Sequence, residues 1–432
     1  MTPASGAISK GGRVLSLVFV ALAATVGSTL SAAEPRPLPI ADWQRQIRAN
    51  FFIPDPLPAL AAETHRRFQP ASGVRAEAVT YGSQFGLRVP AILYMPDPLP
   101  KTGNGKIPGL VIVNGHGGDK YSWYAFYAGI LYARAGMAVL TFDPLGEGER
   151  NARHKSGTRA HDKVMGDEQI ARREGGVLMT DVMQAVSYLS TRPEVDARRL
   201  SAAGYSLGSF ILSVVGAIET RLKACVLVGG GNLDGTEGYW DKAMPMCQGL
   251  PYRSLAFLGD RPAVLYAMHA ARGPTLVFNG AGDTVVAIPR HGQPFFDALR
   301  ARVVALRGSE AGVFTSIIVP VVSHRPHFLT RPVVQWLEQQ IDLPNWSMSD
   351  IDALPETRIG DWAARYAVPM DKLYSRDERE GGTPALLDNV PGYQRDDLNV
   401  LPLAEWERQK PRFLLESWVA RAEETARSTR VP

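Results

Sequence analysis

Six short apolar runs, at residues 110–113, 137–142, 200–203, 225–228, 275–278 and 314–319, constrain this chain more than any other feature. They lack the polar alternation of a strand with one wet face, so they read as strands buried on both sides. Amphipathic stretches separate them. Residues 124–135 form a helix stopped by Gly136, and residues 176–191 place Leu178, Val182, Ala185 and Leu189 on one face. Further helices are expected after residue 208, over 295–306 and over 331–341. Strands alternating with helices specify an α/β chain, a mostly parallel central sheet covered by helices on both faces.

The third run leads into Gly204-Tyr205-Ser206-Leu207-Gly208, followed at once by the apolar residues 210–215. A strand, an abrupt turn and a buried helix put Ser206 at the tip of a strained elbow. A serine hydroxyl needs a base, and the base needs an orienting acid. Strand 275–278 runs into Asn279-Gly280-Ala281-Gly282-Asp283, and strand 314–319 leads to Ser323-His324. Ser206, Asp283 and His324 thus follow one another at three different strand ends. Asp234 is the alternative acid and His327 the rival base. Asn114-Gly115-His116-Gly117-Gly118, after the first run, can supply an oxyanion donor. The backbone N–H groups of Leu207 and Gly117 are assigned that role, with Gly118 the alternative to Gly117, while His116 braces the loop. Asp143-Pro144-Leu145-Gly146-Glu147-Gly148-Glu149-Arg150 reads as a structural turn rather than an acid pair.

These motifs together resemble the α/β-hydrolase superfamily, and within it the bacterial acetyl xylan esterase-like and dienelactone hydrolase-like esterases. The resemblance implies an α/β-hydrolase fold with cap insertions and a C-terminal extension, and a Ser-His-Asp ester hydrolase that uses no metal and no organic cofactor. The substrate it suggests is a small-molecule or carbohydrate ester, acetyl or other esters of the plant wall included. Glucuronoyl-type esterases carry arginine after the serine, where this chain has Leu207. A serine aminopeptidase-like hydrolase is the alternative chemistry, and a binding protein on the same fold the non-enzymatic one. The run Gly229-Gly230-Gly231 lacks the spacing of a nucleotide loop.

Around this core the chain divides further. Residues 1–33 have a basic start at Lys10 and Arg13, an apolar stretch over 14–26, and Ser31-Ala32-Ala33 before Glu34. That is the layout of a signal peptide, implying a secreted or periplasmic protein with no membrane attachment after cleavage. Residues 34–75 form an N-terminal arm, 76–342 the catalytic domain opening on a hairpin over 76–96, and 343–432 an extension that wraps the core or builds a subunit contact. A homo-oligomer is left open. The net charge of +4 falls to about +2 without residues 1–33, which gives no reason to expect nucleic acid. Insertions at 150–175 and 232–272 leave from the strand ends where ligands bind, with His161 and Trp240 as substrate-binding candidates. The two cysteines, Cys225 and Cys247, match no linear metal motif, and their pairing is left undecided.

Overall fold

The computed structural model describes residues 37–163, 168–244, 247–320, 323–325, 327–369 and 382–428. The leader at 1–33 lies outside the described residues. Among those described, no helix is long and apolar enough to cross a membrane.

Nine strands make one sheet, in the order β1-β2-β3-β5-β4-β6-β7-β8-β9. These are β1 (Glu63–Ala71), β2 (Val74–Gly82), β3 (Arg88–Pro96), β4 (Ile107–Val113), β5 (Ala138–Phe142), β6 (Val195–Tyr205), β7 (Leu222–Val228), β8 (Thr275–Gly280) and β9 (Thr315–Val319). Strands β5, β4, β6, β7, β8 and β9 run parallel. Strands β1, β2 and β3 continue the sheet antiparallel. The sheet is therefore mostly parallel, with helices on both faces.

Side-chain alternation along β4 sorts the core into two layers. Val111 and Val113 point into one apolar cluster, and Leu110 and Ile112 into the other. On the Val111 side lie α1 (Ile40–Asn50), α3 (Glu168–Thr191), α4 (Leu207–Ile218), α5 (Gly249–Ser254), α6 (Arg261–Arg272) and α7 (Ile288–Arg307), and on the Leu110 side α2 (Trp123–Arg134) and α8 (Arg331–Ile341).

Four details depart from the sequence reading. The last apolar run is not buried on both sides, because β9 is the edge strand of the sheet and its residues are exposed or half-buried. The expected hairpin gains a third strand, because β1 pairs antiparallel with β2 from within the arm. Its Glu63-Thr64-His65-Arg66-Arg67 start is mostly exposed, and an edge strand rich in charge resists pairing with another molecule. The second part of the 150–175 insertion is not a loop: it is the first two turns of α3, with Arg173, Glu174 and Gly175 buried. Likewise residues 261–272 of the second insertion form α6, a crossover helix packed on the sheet. Its start is capped by Asp260, whose carboxylate accepts from Ala263 N–H at 3.3 Å.

The extension after residue 342 covers both layers. Trp362, Trp406 and Phe413 are buried in the Leu110 layer, and Leu415, Trp418 and Ala422 in the Val111 layer.

Candidate active site

The elbow is built by close backbone approach. Ser206 sits between β6 and α4 at φ 55°, ψ −111°, a region costly for a residue with a side chain. A β-carbon on Gly204 would lie 2.3 Å from the Gly208 carbonyl oxygen, and one on Gly208 would lie 2.1 Å from that of Val113. Both flanking positions therefore require glycine. The strained turn is tied to the sheet by Ser206 N–H, which donates to the Val228 carbonyl at 2.9 Å.

Three strand ends bring the serine, histidine and aspartate together. Ser206 Oγ lies 2.9 Å from His324 Nε2. His324 Nδ1 lies 2.8 Å from Asp283 Oδ2. Asp283 is fully buried, and its other oxygen accepts from Val285 N–H at 3.0 Å and Val286 N–H at 3.3 Å. With both oxygens engaged, the carboxylate is held in one orientation toward the imidazole. Tyr205 donates its hydroxyl to the His324 carbonyl at 3.0 Å, which secures the segment carrying the ring. The glycine run after β7 serves the same ring, since a β-carbon on Gly229 would lie 3.0 Å from His324 Cε1.

The other acid is occupied elsewhere. Asp234 accepts from the backbone N–H groups of Tyr239 and Trp240 and lies 3.6 Å from His291 Nε2. It braces its own loop. The side chain of His327 lies outside the described residues.

In the loop after β4, Gly118 N–H donates to the Gly115 carbonyl at 3.0 Å, so it is spent inside the turn. Gly117 keeps its N–H out of that turn, while its carbonyl accepts from Gly157 N–H at 2.9 Å. The 150–163 segment thus buttresses this loop, and Ser156 adds a hydroxyl bond to Asp119 at 2.7 Å.

A cavity of about 730 Å³ opens over Ser206 and His324. Its walls include His116, Arg159, Tyr239, Trp240, Met244 and Arg325. Trp240 borders it but is itself buried, donating its indole N–H to the Asn232 carbonyl at 2.9 Å and stacking on Phe210. His161 is not in the cavity wall. It lies completely buried behind His116, their rings stacked 5.6 Å apart. The sequence reading makes it a substrate-binding candidate, whereas the chain folds it inward, away from the cavity. Burial lowers the His161 imidazole to about 4. Burial and the neighbouring His161 hold His116 well below its usual range. Cys225 and Cys247 are both free and buried, and His116 Nε2 lies 3.1 Å from Cys247 Sγ.

Below the loop, the turn at 143–150 forms a buried ionic knot. Lys120 Nζ lies 2.6 Å from Asp143 and 2.7 Å from Glu149. Burial works to raise the Glu149 carboxyl, but Lys120 and hydrogen bonds outweigh it and hold it at about 2. Burial likewise works to lower the Lys120 ammonium, but Asp143 and Glu149 outweigh it and hold it above its usual range. The C-terminal extension completes the knot. Glu149 accepts from Val400 N–H at 3.0 Å, and Trp406 donates to the Glu149 carbonyl at 2.9 Å. The turn is structural, and no part of it lines the cavity.

Comparison with known proteins is consistent with this geometry. Residues 59–228 match the acetyl xylan esterase (AXE1) family. The uncharacterized protein PA2218 of Pseudomonas aeruginosa is 28% identical over 168 residues, 39% of this chain and 40% of that protein. The chain thus matches well under half the length of this curated relative. Among solved structures, the acetyl xylan esterase from Paenibacillus sp. R4 superposes with a TM-score of 0.51 at 17% identity, covering 70% of this chain and 94% of that one. The methylesterase BT1017 gives 0.51 at 17% identity, covering 86% of this chain and 75% of that one. At such identities the likeness is one of fold.

Proposed function

We propose that this chain, a member of the α/β-hydrolase superfamily, is an exported serine hydrolase that cleaves carboxylic esters through an acyl-enzyme, with acetyl and related esters of plant-wall carbohydrate as its substrate class. The single observation that carries the reading is the continuous relay from Ser206 Oγ through His324 to Asp283, at 2.9 and 2.8 Å. The acetyl xylan esterase match over 59–228 supports an ester as the substrate.

In this reading Asp283 holds the His324 tautomer that carries its proton on Nδ1, leaving Nε2 free to accept the serine proton. Ser206 Oγ attacks the ester carbonyl as that proton moves to Nε2. The tetrahedral oxyanion is received by the N–H groups of Leu207 and Gly117, each worth about 3–4 kcal/mol in comparable sites. Gly117 is preferred to Gly118 because Gly118 N–H is already spent on Gly115. His324 then returns the proton to the leaving alcohol, and the acyl-enzyme forms. Water attacks the acyl group with His324 again as base, releasing the acid and restoring Ser206. Asp283 stabilises the imidazolium in both halves.

Ser206→Ala is expected to lower ester turnover by on the order of 10⁴-fold or more, measured on aryl acetates with folding checked by circular dichroism. Near-normal turnover in a folded, uncontaminated variant would end the serine mechanism. A panel of acetyl, feruloyl, glucuronoyl and aminoacyl substrates identifies the acyl and alcohol groups. Dominant aminoacyl anilide cleavage would replace the esterase reading with a peptidase one.

A further inference from the structure

Behind the oxyanion loop, three segments far apart in sequence converge on one point: His116 from the loop after β4, His161 from the first insertion and Cys247 from the second. One ligand atom from each lies within 4.8 Å of the others. The disposition of the two imidazoles is specific. His161 Nδ1 lies 3.0 Å from the Leu145 carbonyl, and only an N–H can satisfy a carbonyl. That bond fixes the tautomer and leaves Nε2 as a bare lone pair. His161 is fully buried, and its Nε2 has no hydrogen-bond partner among the described residues. A backbone carbonyl behind one nitrogen and an open lone pair at the other is the arrangement that orients metal-binding histidines. His116 Nε2 already faces the thiol at 3.1 Å.

We propose that His116, His161 and Cys247 bind one thiophilic divalent cation, of which zinc is the representative probe. Two imidazoles and a thiolate form a donor set suited to zinc, which takes four ligands in tetrahedral array. With zinc bonds of about 2.0–2.3 Å, the edges of such a tetrahedron are about 3.3–3.6 Å, so His116 and Cys247, 3.1 Å apart, part by a few tenths of an ångström on binding while His161, within 4.8 Å of both, draws in by up to about 1 Å. Binding replaces the thiol proton, which leaves to solvent, and the metal–sulfur bond takes its place. Nearby, Asp162 pairs with Arg159 at 2.6 Å, and burial holds the Glu174 carboxyl well above its usual range, toward the neutral form. Glu174 is fully buried with neither oxygen hydrogen-bonded among the described residues. Of the three donors only His116 lines the cavity. The cation therefore staples the oxyanion loop to both insertions from behind and takes no part in the attack on the ester.

The test uses the full-length protein, prepared without a polyhistidine tag, stripped with chelator and titrated with Zn²⁺ or Co²⁺. One equivalent of Zn²⁺ is expected to bind and raise the melting temperature. One equivalent of Co²⁺ is expected to give a thiolate-to-cobalt charge-transfer band in the near ultraviolet with intense tetrahedral d–d bands. Cys247→Ser should abolish the charge-transfer band, and His161→Gln should weaken affinity by at least about 100-fold, at or beyond the range seen for altered supporting shells. Ser206→Ala should keep full metal uptake while losing turnover, so the two readings fail separately. Absence of the cobalt–thiolate band in the wild-type protein overturns the proposal. So does unchanged uptake by a folded His161→Gln variant, which decides the matter even where Cys247→Ser does not fold.

Discussion

Gly208 shows how little freedom a single position of the elbow retains. Its missing side chain leaves room for the Val113 carbonyl oxygen, 2.1 Å from where a β-carbon would stand. Neither partner can yield, since one belongs to a central strand and the other to the turn holding Ser206. Gly208→Ala is therefore expected to destabilise the fold by about 1–3 kcal/mol or more, seen as a lower melting temperature together with lost turnover. A folded variant of unchanged stability would contradict the packing. At Asp283 the expectation is catalytic: Asp283→Asn preserves shape but favours the wrong imidazole tautomer, and a loss of about 10⁴-fold in kcat is expected. Residues such as these are legible in sequence because a strand end, a turn and a residue type coincide within a few positions. The cluster of His116, His161 and Cys247 was not legible, because no local spacing links three loops that meet only in the folded chain. The burial of His161 is hidden from the sequence for a related reason. Its charged neighbours suggest a solvated segment, yet burial is decided by what the chain lays over that segment.

At the scale of elements, the turn at 143–150 is the support on which the loop after β4 rests. Lys120 extends that loop into the turn, where Asp143 and Glu149 neutralise it. Glu149 is held at about 2 in the folded protein, below its ordinary 4.5. A carboxyl so lowered contributes stability that is fully present above about pH 4.5 and is lost as pH falls toward 2. Thermal melts across that window should show this loss, and Glu149→Gln should flatten it. The same variant breaks a buried ion pair and is expected to cost about 3–5 kcal/mol at neutral pH, measured by denaturant unfolding. Helix α3 teaches the matching lesson about reading sequences. Its apolar stripe from Leu178 onward is plain, but its first turns carry Arg172, Arg173 and Glu174 and read as part of a polar insertion. Arg173, its guanidinium 3.9 Å over the Phe52 ring of the N-terminal arm, and Glu174 are buried, which helical periodicity alone does not reveal.

For the whole molecule, the central sheet and its order of helices follow from runs of apolar residues, whereas the role of the last quarter of the chain does not. Its tryptophans are scattered among prolines and charges with no period to read. In the fold they cover both layers, and Arg395 reaches Asp119 at 3.0 Å while Val400 and Trp406 close over Glu149. A chain ending before residue 394 is expected to be recovered mainly as insoluble material, or to melt at a clearly lower temperature. A soluble truncated chain melting like the full-length protein would show that the extension is ornamental. The contact between Glu149 and Val400 also sets a schedule. During synthesis the turn at Ser206 and the loop after β4 leave the ribosome long before Val400 exists, so Lys120 and the two carboxylates must wait in water without their final covering. The turn at 143–150, and with it the loop after β4, therefore reaches its final support only after residue 400 has been made.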